Sequence, residues 1–93
     1  MHNEIRLSEF GKHLTGRPFG KEIAEKLKKR DLSGPFVVSF EGVNSLGSSF
    51  AEEVLLELAK LQNNSLRITH ANTVVQACLK DLESDFSIDM RLE

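Results

Sequence analysis

The residues of this chain best equipped for chemistry lie in one short run, Glu41-Gly42-Val43-Asn44-Ser45-Leu46-Gly47-Ser48-Ser49, with three hydroxyls, an amide and two glycines. A run of this kind before a helix offers hydroxyls next to unpaired backbone N–H groups. That environment favours an anion, including a phosphoryl group of about −1.5 to −2 charge. The same serines have a plainer use, because Ser49-x-x-Glu52 has the spacing of a capping box. On that spacing Ser49 is the expected cap and Ser48 the outward hydroxyl, while Glu53 adds a second carboxylate to the positive end of the helix dipole. Arg17, beside another helix start, suits a partner's carboxylate or a phosphoserine, or else is a solvated surface arginine.

Other reactive residue types form no constellation. His13 and His70 have no carboxylate or thiol spaced for a triad or a metal. Cys78 falls on an apolar helical stripe and reads as a small buried hydrophobe. Gly16-Arg-Pro-Phe-Gly20-Lys21 is one residue short of a phosphate loop, and Glu22 stands where a magnesium-binding hydroxyl is needed. Glu52 and Glu53 are adjacent on a helix and point about 100° apart, so they are no acid–base pair. The sequence therefore implies no catalytic residue, no metal site and no cofactor.

These residues are positioned by alternating elements. Residues 4–10 alternate around Ile5 and Leu7 as a half-buried strand. A helix is predicted from Pro18 to Arg30 on the stripe Phe19, Ile23, Ala24 and Leu27, with proline in the first turn. After a turn at residues 31–35, Phe36 to Phe40 reads as a central strand covered on both faces, Phe36 and Val38 on one side, Val37 and Phe40 partly on the other. A second helix is expected over 48–62, carrying Phe50, Val54, Leu55, Leu58 and Leu61. A short strand follows at 66–69. The third helix, 73–86, carries Val74, Val75, Cys78, Leu79, Leu82 and Phe86, and Thr73-x-x-Gln76 reads as its capping box. The acidic tail is either frayed or a short edge strand over 88–92. Strand–helix alternation implies right-handed crossovers: an α/β layer with a largely parallel or mixed sheet of roughly three to five strands and about three helices, in a single domain over 1–93.

Size and charge narrow the function. Ninety-three residues with 40% hydrophobic and 28% charged side chains suit one small folded domain. No apolar run approaches the roughly 18 residues of a membrane span, and the first ten residues lack a signal core, so a cytoplasmic location without membrane contact is expected. A single cysteine forms no internal disulfide. Residues 1–30 hold eight Lys/Arg against four acids, and residues 31–93 hold four against ten. The cations Lys26, Lys28, Lys29 and Arg30 fall where the first helix ends and answer its dipole. With no Trp or Tyr, base stacking has no apparatus, and nucleic acid is an unlikely partner.

The segment Phe36-Val-Val-Ser-Phe-Glu-Gly-Val-Asn-Ser-Leu-Gly-Ser-Ser-Phe-Ala-Glu-Glu-Val resembles the central strand, loop and helix of STAS domains of the anti-sigma factor antagonist type. It is especially similar to the short bacterial STAS-like family of unassigned function, with its Ser-Ser-Phe-Ala-acid-Glu run. Leu14-Thr15-Gly16-Arg17 resembles that family's entry to the first helix. The resemblance implies a non-enzymatic signalling module whose serine at position 48 is phosphorylated by a partner kinase, with Ser49 beside it as the second candidate. It also implies a protein partner, an anti-sigma-type kinase or ATPase, meeting Arg17, Asn44, Ser45, Gly47, Ser48 and Glu52. The chain departs from the antagonist pattern at Gly47, where aspartate is usual, and at Phe50, where glycine is usual. It also has Ser39 where the short family often has an acid. Two further readings stay open: a small anion- or nucleotide-binding module using the same loop, and a structural homodimer pairing through helix faces or the tail strand.

Overall fold

The computed structural model describes residues 3–32 and 34–93. In chain order the elements are β1 (Asn3–Arg6), a 3-10 turn (Leu7–Phe10), β2 (His13–Leu14), α1 (Arg17–Lys28), β3 (Phe36–Ser39), β4 (Ser45–Leu46), α2 (Ser48–Lys60), β5 (Ser65–Thr69), α3 (Thr73–Phe86) and β6 (Asp89–Leu92). Strands β1, β3, β5 and β6 form one sheet in that order, every neighbouring pair parallel. A second, two-stranded parallel sheet joins β2 to β4. This is an α/β fold with three helices, as the alternation of elements implies.

The strand order determines where the helices lie. Each crossover advances one place in the same direction, and right-handed crossovers that never reverse put every helix on the same face. Burial agrees: Ile5, Phe36, Val38, Leu66, Ile68 and Met90 are buried, whereas Glu4, Arg6, Asp89 and Arg91 are exposed. The expectation of a central strand covered on both faces holds only in part, since on the second face Ser39 is buried but Val37 is not fully covered. Val37, between Glu4 and Arg67 in register, is only half-buried. Phe40 sits with Phe36 and Val38 rather than opposite them. Its N–H extends the ladder to Thr69 O at 2.9 Å, and alternation returns its ring to the helix side, where it is fully buried.

Several expected boundaries shift for local reasons. The first strand stops at Arg6 because the chain folds into the 3-10 turn that tucks Leu7 into the core. Helix α1 begins at Arg17, not Pro18, and ends at Lys28. The expected turn at 31–35 includes Ser33, which lies outside the described residues. Leu61, Val74 and Phe86, read as core, are 57%, 56% and 43% exposed. Leu61 is already past the last turn of α2, and the other two lie outside the stripe Val75, Leu79 and Leu82 that faces inward. The tail is a strand: left-handed Ser87 turns the chain, and β6 pairs with β5.

The tightest packing is between α1 and α2. At Gly20 an added Cβ would meet Phe50 Cα and Glu53 Cβ, both at 3.0 Å, and Phe50 O at 3.1 Å. The missing side chain lets the two helices touch, with the Phe19 and Phe50 rings packed in a tilted arrangement, 48° between planes and 5.3 Å between centroids. Gly20→Ala would gain about 1 kcal/mol from helix propensity alone, yet overpacking costs about 1–3 kcal/mol. The substitution is therefore expected to lower the unfolding free energy by about 1 kcal/mol in urea titrations; an unchanged or higher midpoint would show that the helices separate freely.

Candidate functional site

Because all crossovers run the same way, the loops leading into α1, α2 and α3 gather at the carboxyl edge of the sheet, where open α/β folds place their sites. The loops are knitted together by backbone. Asn44 N and Ser45 N both donate to Lys12 O, at 2.7 and 3.2 Å, and Gly47 N donates to Leu14 O at 2.8 Å. This is the β2–β4 sheet, in which His13 lies opposite Ser45 and Leu14 opposite Leu46. Sequence periodicity cannot reveal two-residue strands, so this pairing is absent from the elements expected of the sequence.

The third loop is tied in by Asn72. Its Oδ1 accepts the Val75 N–H at 2.8 Å, and its Nδ2 donates to Val43 O and Asn44 O at 3.2 and 3.1 Å. Asn72 thus caps α3 and fastens it to the Asn44 loop. This corrects the capping box expected at Thr73 and Gln76: Thr73 is the first helical residue, and Gln76 instead donates to Ala71 O at 2.8 Å. The signal was in the sequence, since asparagine before a helix is among the best caps.

The capping box expected at Ser49 and Glu52 is also absent. The N-cap of α2 is Gly47, in extended conformation, and no side chain caps it. Ser48 and Ser49 are the first two helical residues, Ser48 exposed and Ser49 half-buried. Glu52 and Glu53 instead turn toward Arg17, which donates to both carboxylates at 3.3 and 3.0 Å. Arg17 therefore has internal partners, and its guanidinium is held more firmly charged, first by the hydrogen bond to Glu52. These groups remain partly exposed, so the cluster contributes little stability and serves mainly to orient its members.

The remaining predicted residues are close by. Asn44 is exposed, and Ser45 Oγ lies 2.8 Å from His13 Nδ1. An added Cβ at Gly47 would lie 3.2 Å from Thr15 Cγ2 and 3.3 Å from its Cα. The departure at Gly47 thus has a cause: the β2–β4 pairing leaves a side chain little room there. Phe50 has one too, filling the core fully buried beside Gly20. Among the described residues, no group of three His, Cys, Asp or Glu could hold a metal ion, and no helix is long and apolar enough to cross a membrane.

Two measurements check this geometry. Asn72→Ala removes a cap and two further hydrogen bonds, together about 2 kcal/mol, or roughly 10 °C in melting temperature. Ser49→Ala is expected to change stability by no more than about 0.5 kcal/mol; equal losses in the two variants would restore the capping box. Burial, then the nearby Asp81 and Glu52 carboxylates, pushes the Cys78 thiol up. Less thiolate is then present at a given pH, so iodoacetamide should label Cys78 at about pH 8 more slowly than free cysteine, its rate rising only at higher pH.

No curated protein and no solved structure matches the chain. A family model described as a STAS-like domain of unknown function (DUF4325) matches residues 15–76, a span running from the entry to α1 through β3, α2 and β5 into α3. With that span covering most of the chain, including the starts of all three helices, this protein belongs to the family of STAS-like domains of unknown function.

Proposed function

We propose that this domain is a non-catalytic protein-interaction module of cytoplasmic signalling, that its partner docks on the corner where α2 begins, and that phosphorylation of Ser48 controls the docking. The observation that carries this reading is Ser48 itself: exposed, first in its helix, its hydroxyl making no hydrogen bond to any described residue. Asn44, Ser45 and Gly47 precede it on a segment whose backbone bonds to Lys12 and Leu14, and Glu52 follows it one turn along α2. A surface held this way loses little entropy on binding, which favours recognition. The resemblance to anti-sigma factor antagonists supports a kinase or ATPase as the partner.

Phosphorylation would act locally. At the first helical position a phosphate meets the positive end of the dipole, favourable by about 0.3–1 kcal/mol. It also lies four residues before Glu52, on the same side of α2, which costs about 0.2–0.5 kcal/mol in like-charge repulsion. These contributions nearly cancel, so the modification leaves the fold standing and changes the charge that a partner meets.

The test compares Ser48→Glu and Ser48→Ala with the parent domain as bait in cells of the source organism, with intact-mass measurement of the recovered domain. The expected result is capture by the parent and Ser48→Ala domains, loss of about tenfold or more with Ser48→Glu, and melting temperatures within a few degrees of one another. Equal capture by all three domains would defeat the reading.

A further inference from the structure

Among the described residues, β6 is an edge strand whose single neighbour is β5. Asp89 N and Glu93 N donate inward, to Asn64 O at 2.9 Å and Ile68 O at 2.7 Å. By alternation, the backbone groups of Met90 and Leu92 point away from the sheet. The Met90 N–H is taken by Glu83 Oε2 of α3 at 2.9 Å. Leu92, on the helix side of the edge, is 42% exposed.

We propose that β6 is a self-association edge, pairing antiparallel with β6 of a second copy about a twofold axis at Met90, and that Glu83 guards this edge in the single chain. The strand is its own complement. With Met90 opposite Met90, the outward-pointing backbones exchange hydrogen bonds, as an antiparallel ladder requires. Asp89 then faces Arg91 of the second copy and Arg91 faces its Asp89, both pairs on the helix-free side of the sheet. On the helix side, Leu92 lies opposite Ile88. The neighbouring registers that keep the outward groups bonded bring Asp89 against Asp89, or Arg91 against Arg91. Like charges directly opposite are destabilising, so the charge pattern selects the Met90 register. Pairing requires the Glu83 carboxylate to leave the Met90 N–H, since one donor cannot serve both. Glu83 and the second copy are therefore competing occupants of the same hydrogen bond, a carboxylate doing at this edge what charged residues commonly do to block strand addition.

The experiment is sedimentation equilibrium on the full chain across a wide concentration range. Glu83→Ala is expected to tighten dimerisation by about tenfold or more relative to the parent. Adding Asp89→Arg, which sets two arginines against each other in both cross-strand pairs, should return it to monomer, and combining Asp89→Arg with Arg91→Asp should restore the dimer. Should the alanine variant not fold, Glu83→Gln, of the same length but a weaker acceptor, is read in its place. A Glu83 variant no more associated than the parent, or a dimer indifferent to Asp89→Arg, would overturn the proposal.

Discussion

Four parallel strands that advance in one direction through right-handed crossovers leave little else to choose: all three helices share one face and all three start at the same edge. Everything distinctive about this domain follows from that constraint. The helices form a single layer in which α1 touches α2 and α2 touches α3, so the core lies between that layer and the sheet. Three helix starts gather at one edge and leave many backbone N–H and C=O groups to satisfy there. The chain meets that need mostly with backbone: the β2–β4 pairing and the carbonyls held by Asn72.

Close approach of α1 to α2 couples the core to the corner. Gly20 lets the helices touch, and the contact brings Arg17 against Glu52 and Glu53 at the exposed end. Ion pairs this open to solvent are screened and contribute little, so they do not hold the helices together. Apolar contact does that, through Ile23, Leu27, Phe50 and Val54. The charges instead settle which groups near Ser48 are already engaged. At this corner Ser48 is exposed, and the Arg17 guanidinium already has two carboxylates.

The helix-free face is the counterpart of the same topology. Its strands carry Glu4, Arg6, Arg67 and Arg91, whose charges pair along the sheet: Arg6 with Glu4, Arg67 with Glu93 at 2.7 Å, and Arg91 with Asp89 at 3.2 Å. Beneath this polar cover Ser39 is buried, its Oγ accepting from the Glu41 N–H at 3.3 Å. At the β6 edge the same alternation sets opposite charges two residues apart and apolar groups between them. That pattern suits a lone edge strand and equally the self-pairing proposed for it, and Glu83 holds the Met90 N–H of this edge.

Local periodicity was enough to place α2, α3, β3 and β5 to within about two residues, because each has an apolar stripe or run that only one secondary structure can bury. The exposed hydroxyl at Ser48 was also legible, though for an incorrect reason: capping-box spacing pointed to Ser49 as cap, whereas Gly47 holds that position. Composition settled the absence of an internal disulfide, since there is one cysteine. The tertiary structure alone decided what depends on distant partners. Two-residue strands have no period, so β2 and β4 exist only because their loops meet. Val37 looked buried because a β-branched run has the same composition whether one face or two are covered; strand order decides which. Arg17 and Glu52, 35 positions apart, became partners only when a glycine let two helices close, a distance no local pattern encodes.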